Sequence, residues 1–170
     1  MKPANSKFLI LCSGIVLFSA CAVTLAGEDR SDRGDRIVGL WGTEATVGPC
    51  GGTPATPIRN TLLFHAGGTV VENPRIGPNG VATGPNNTLI YQRGQALGTW
   101  AYDRSKRIYY IHLRFDNYVD NVYHGYSIVD REITLSSRGM KASGPVRSTR
   151  YLADGTELSA VCGQAMSTPL

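Results

Sequence analysis

The sequence predicts an all-β fold, an eight-stranded antiparallel up-and-down meander barrel. Three observations carry that expectation. From Ile37 onward apolar residues recur with a period close to two, and no window offers an amphipathic helix. Hairpin chemistry punctuates the apolar runs, with Gly67-Gly68 and Asp154-Gly155 as short turns. The 170 residues include 20 Gly and 9 Pro, a composition suited to many short strands joined by turns. A meander of this size does best by closing on itself, because closure removes exposed edges. Eight strands enclose an interior just wide enough to be filled by side chains or to hold one small ligand.

Residues 1–26 read as a signal peptide. Lys2 and Lys7 make a positive start, Phe8 to Phe18 is almost uninterruptedly apolar, and the small residues Ser19, Ala20, Ala22 and Ala26 follow. The apolar run is too short for a comfortable membrane span of about 20 residues. Leu17-Phe18-Ser19-Ala20-Cys21 resembles a bacterial lipobox, which implies a lipid on Cys21 and attachment to a membrane only in that case. Gly27 to Arg36 is charged and lacks apolar residues, so residues 27–36 are expected to be a disordered linker before a barrel domain over 37–170.

Within that domain the strands are expected at Val38–Val47, Thr61–Ala66, Thr69–Glu72, Leu97–Tyr102, Arg107–Phe115, Val122–Ser136, Lys141–Leu152 and Thr156–Ala165. Arg104-Ser105-Lys106 and Ser137-Arg138-Gly139 read as polar turns, and Asp116 to Asn121 as a polar loop. The stretch from Asn73 to Thr88 is dense in Gly, Pro and Asn and reads as a long loop.

Charge and cysteines bound the function classes. The formal net charge is +4, and Lys2 and Lys7 supply two of those charges, so the processed chain is left near +2 and no nucleic-acid partner is expected. Of the four Cys residues, Cys12 and Cys21 lie in the leader. Cys50 and Cys162 remain, and an even pair in an oxidising compartment favours a disulfide over two buried thiols. In a closed meander the first and last strands are antiparallel neighbours, so a Cys50–Cys162 bond would staple the closing seam.

Gly39-Leu40-Trp41 opens the first strand, and Gly98-Thr99-Trp100 repeats the pattern. A G-x-W at the first strand resembles the lipocalin and calycin families, and Ile37 to Leu170 resembles a group of small exported bacterial lipocalin-like proteins. The resemblance implies that Trp41 plugs the closed end of a barrel and that an Arg from the final strands covers it, with Arg147 and Arg150 as counterparts. It also implies an interior that binds a small molecule.

On Arg107–Phe115 the face carrying Tyr109, Ile111, Leu113 and Phe115 reads as core, whereas His112 and Arg114 read as outer. If Phe115 pairs with Val122 across the loop, His124 and Tyr126 join the inner face, and a one-residue slip would expel them. The expected ligand-lining set is therefore Trp41, Trp100, Tyr109, Phe115, His124 and Tyr126, around a small apolar or amphipathic ligand. No metal site is expected, because His65, His112 and His124 lack ligand spacing and no carboxylate cluster joins them. No cofactor is expected, and no nucleophile motif is present. Two other function classes remain open. One is a barrel enzyme, of isomerase or cyclase type, using His124, Tyr126 and His65 as acid–base groups. The other is a cell-envelope interaction protein or inhibitor using the 73–88 segment as its contact.

Overall fold

In the computed structural model, which describes residues 34–53, 56–77 and 79–170, the period-two alternation becomes strand along most of the chain. Ten strand segments are formed among the described residues: β1 (Gly39–Pro49), β2 (Thr56–Phe64), β3 (Thr69–Pro74), β4 (Val81–Thr83), β5 (Leu89–Arg93), β6 (Ala96–Asp103), β7 (Ile108–Val119), β8 (Val122–Leu135), β9 (Ala142–Leu152) and β10 (Glu157–Pro169). The expected signal peptide over 1–26, with Cys21, lies outside the described residues.

The ten segments make eight staves. β3 pairs with β6 and β4 with β5, while β5 and β6 both pair with β7, so β4 prolongs the line of β3 and β5 that of β6. β7 pairs with β8, β8 with β9, β9 with β10, and β10 returns to β1 through Trp41↔Pro169 to Pro49↔Val161. Every pairing is antiparallel, and the sheet closes as an eight-stranded barrel.

Closure brings the cysteines together. Gly48 faces Cys162 across the β1–β10 ladder, Cys50 follows two residues on, and the Cys50–Cys162 disulfide spans a Cα–Cα distance of 4.8 Å. The bond sits at the closing seam, as a closed meander requires.

Residues 73–88 are not loop throughout. β4 and β5 form a hairpin capped by the 310 turn Pro85–Asn87, and apart from Pro74, the last residue of β3, the Gly/Pro density falls between β3 and β4 and at the hairpin tip. The expected loop over Asp116–Asn121 is also mostly strand. Val119 pairs with Val122, and the turn between them is only Asp120-Asn121, both left-handed at φ 49° and 66°, a conformation Asn and Asp adopt at low cost.

The N-terminal end of the barrel is filled. Phe64, Trp100 and Tyr109 pack with ring centroids 6.0–6.4 Å apart, and Trp41, Leu62, Val70, Ile111 and Ile133 complete this plug. Asp35–Ile37 forms a 310 turn across the same end, so the expected linker over 27–36 gives way to structure in its last residues. Ile37 is buried, its carbonyl accepts the Trp41 indole N–H at 2.7 Å, and Arg36 donates to the Ser137 carbonyl at 3.0 Å. Trp41 thus plugs the closed end. Arg147 and Arg150 do not cover it: Arg147 faces Cys162, seven residues along β10 from the partner of Trp41, roughly 23 Å at strand rise, and Arg150 lies farther still.

Curvature is built in with glycine. A Cβ on Gly98, which faces inward on β6 opposite Leu113, would lie 1.9 Å from the His112 carbonyl oxygen. Gly98→Ala is therefore expected to cost about 1–3 kcal/mol in chemical denaturation, since the obstacle is backbone. Gly94→Ala, with nothing within 4 Å, is expected to stay within about 0.5 kcal/mol of the parent.

Candidate functional site

The other half of the barrel is hollow. Above the plug a cavity of about 560 Å³ opens at the end where β1 finishes and β2 begins. Its walls are largely apolar, with Val47, Ile58, Ile76, Val81, Val129 and Val161 prominent, and Arg59 and Arg75 stand exposed at its rim. All but Ile76, which lies between β3 and β4, come from inward positions of their strands, where every second side chain faces the interior. The volume falls within the range typical of small-molecule sites.

The floor of this chamber is charged. Glu72 sits on β3 two residues after the buried Val70, in phase with the core, and is 1% exposed. Its carboxylate accepts from Arg93 at 2.8 Å through Oε1 and from Arg131 at 2.7 Å through Oε2. Arg131 occupies the inward position between Val129 and Ile133 on β8. Burial lowers the Arg131 pKa from its ordinary value, Glu72 opposes that shift and Arg93 adds to it. The Arg93 guanidinium also lies 3.4 Å from the Phe115 ring centroid, a cation–π contact in a desolvated setting.

Higher on the wall, Tyr91 donates to Asn117 Oδ1 at 2.7 Å, and Asn117 donates to Ser127 Oγ at 2.9 Å. Burial raises the Tyr91 pKa, with Arg93 and Arg150 both opposing. The Arg150 guanidinium is 5.5 Å from the Tyr91 ring centroid. Nε of Arg131, Nε of Arg150 and Oδ1 of Asn60 are buried without a hydrogen-bond partner among the described residues, and all three residues line the chamber.

The structure divides the six residues expected to line a ligand. Phe115 is in the chamber wall. Trp41, Trp100 and Tyr109 face inward but belong to the plug below it. The inward orientation expected for His124 and Tyr126 is overturned. Asn117 faces Gly125 while Tyr118 faces Tyr123, so His124 is the extra residue of a β-bulge. That insertion reverses the facing of everything after it. Ser127, Val129 and Arg131 turn inward, and Tyr126 turns outward to stack on Tyr151 at 5.0 Å.

His124 is exposed on β8, and His65 is exposed at the β2–β3 turn in the closed half. The three acid–base candidates therefore do not converge. His112 and Asp130 pair on the outer face at 2.8 Å, within a more open groove of about 1050 Å³ that crosses β6 to β10. Among the described residues no group of His, Cys, Asp or Glu is arranged to hold a metal ion.

Sequence reasoning missed Glu72, Tyr91, Arg93 and Arg131 as chamber residues, and it gave Arg150 a different role, over Trp41. Two of them carried a readable signal: Glu72 keeps step with Val70, and Arg131 with Val129 and Ile133. The fold and site define a closed antiparallel β-barrel with one plugged end and one open, cation-floored chamber. No family model matches the chain, and no curated protein matches its sequence.

Proposed function

We propose that this protein is an exported binding protein that takes a small amphipathic molecule into the open half of its barrel and performs no chemistry on it. The observation that carries this reading is the chamber of about 560 Å³, walled by apolar side chains and floored by a few fixed polar groups. The G-x-W at Gly39-Leu40-Trp41 and its resemblance to lipocalins support the same reading. Export is supported by the leader pattern over residues 1–26 and by the Cys50–Cys162 bond, which suits an oxidising compartment. The enzyme reading loses support because His65, His124 and Tyr126 stand apart on the outside of the barrel.

A neutral apolar dye, Nile red, tests the reading without engaging the charged floor. It is expected to bind one to one with a blue-shifted emission and to be displaced by decanol. Val129→Trp, which fills the chamber from its wall, is expected to abolish the signal while the far-ultraviolet circular dichroism stays that of the parent. Dye binding that persists in folded Val129→Trp, or that never occurs, would refute occupancy of the chamber.

A further inference from the structure

The charges lining the chamber do not balance. Glu72 is the one acidic residue in its lining among the described residues. Five arginines share the lining, and Arg remains protonated in proteins: Arg59 and Arg75 are exposed at the rim, Arg59 in an ion pair with Glu44, whereas Arg93, Arg131 and Arg150 lie inside. Glu72 already serves two of these inner three, one on each carboxylate oxygen. Arg150 has no ion pair among the described residues, and its Nε is buried without a partner, as is that of Arg131. Leaving the exposed rim aside, the interior of the chamber therefore carries an excess of two positive charges behind low-dielectric walls, where an uncompensated charge is costly.

We infer that the ligand carries an anionic oxygen head, a carboxylate or a phosphate, held by Arg150 above the Arg93–Glu72–Arg131 floor. This rests on the binding function proposed above and names the chemistry of its ligand. Guanidinium groups suit such heads because their planar fork of donors matches two oxygens at once. Tyr91 adds an aromatic face beside Arg150. The apolar residues Ile58, Ile76, Val81 and Val161 lie in the same lining. Charge at the floor and apolar wall above it orient the guest head down, with its tail toward the opening.

The experiment is calorimetric titration of the full domain, leader removed, with four probes of one chain length: decanoate, decyl phosphate, decanol and decyltrimethylammonium. The two anions are expected to bind at least about ten-fold more tightly than decanol, and the cation more weakly than decanol. Whichever anion binds more tightly identifies the head as carboxylate or phosphate. Arg150→Gln is expected to reduce the preference for anion over alcohol by about ten-fold. Its thermal midpoint, measured alongside, establishes that the variant is folded. Arg150→Lys, which keeps the charge and loses the fork, is expected to retain part of that preference.

Equal affinity for all four probes would overturn the anionic head and leave the binding chamber standing. An undiminished anion preference in folded Arg150→Gln would overturn the assignment to Arg150. Failure of all four to bind would overturn the chamber reading and the head with it.

Discussion

Glu72→Ala is expected to lower the unfolding free energy by about 3–5 kcal/mol, measured by urea denaturation at neutral pH. The reason is not the worth of two ion pairs. Arg93 and Arg131 donate to Glu72 at 2.8 and 2.7 Å within a buried site, and the substitution strips both of their acceptor at once. The three guanidiniums of the interior, Arg93, Arg131 and Arg150, would then have no counter-charge in the lining. Replacing the whole triad tells a different story. Glu72→Leu, Arg93→Leu and Arg131→Met together are expected to be neutral or mildly stabilising, because well-packed apolar groups avoid the desolvation cost entirely. A small loss in Glu72→Ala, within about 1 kcal/mol, would mean that water reaches the floor freely and that the cluster is not the charged, desolvated base described above.

Loss of the disulfide is the second large effect. Cys50 and Cys162 are 112 residues apart in sequence, so their bond constrains most of the unfolded barrel domain. Loop-closure entropy for that separation gives about 4–5 kcal/mol, an upper figure, and removal of native disulfides from small secreted domains falls at about 2–5 kcal/mol. Cys50→Ser/Cys162→Ser is expected to lower the thermal midpoint by roughly 10 °C, and a reductant should do the same to the parent and nothing to the variant. Both cysteines lie at one seam, where β1 meets β10. Once the bond is absent, hydrogen exchange should rise first along Trp41↔Pro169 to Pro49↔Val161 and later elsewhere. An unchanged midpoint would show that the ladder alone holds the seam.

The architecture was legible because its signals are local and repeated. Alternation on Arg107–Phe115 fixed which face became core, and Tyr109, Ile111, Leu113 and Phe115 are indeed buried. Closure was expected from the hairpin-linked alternation, and the Cys50–Cys162 bond it would permit at the seam is formed. The chamber was less legible, for two physical reasons. First, a single extra residue at His124 inverts the facing of β8, and no local propensity announces a bulge. Without it the expected facing of Tyr126 would have held and Arg131 would have pointed outward. Second, the charged interior is assembled from β3, β5, β8 and β9, each contributing one charged side chain that looks solvated in its own segment. Arg131 between Asp130 and Glu132 reads as part of a charged surface. Only its phase with Val129 and Ile133 argues otherwise. The β4–β5 hairpin was obscured by the Gly, Pro and Asn around it, and with it Tyr91 and Arg93.

The most direct test of the account is a methyl NMR titration of the isotope-labelled domain with decanoate. Val47, Val129, Val146 and Val161 line the chamber, whereas Leu40, Leu63 and Leu97 project outward from the barrel. Saturable shifts confined to the valines, with the leucines unmoved, are the predicted result. Shifts centred on the outer leucines, or on no methyl at all, would contradict it.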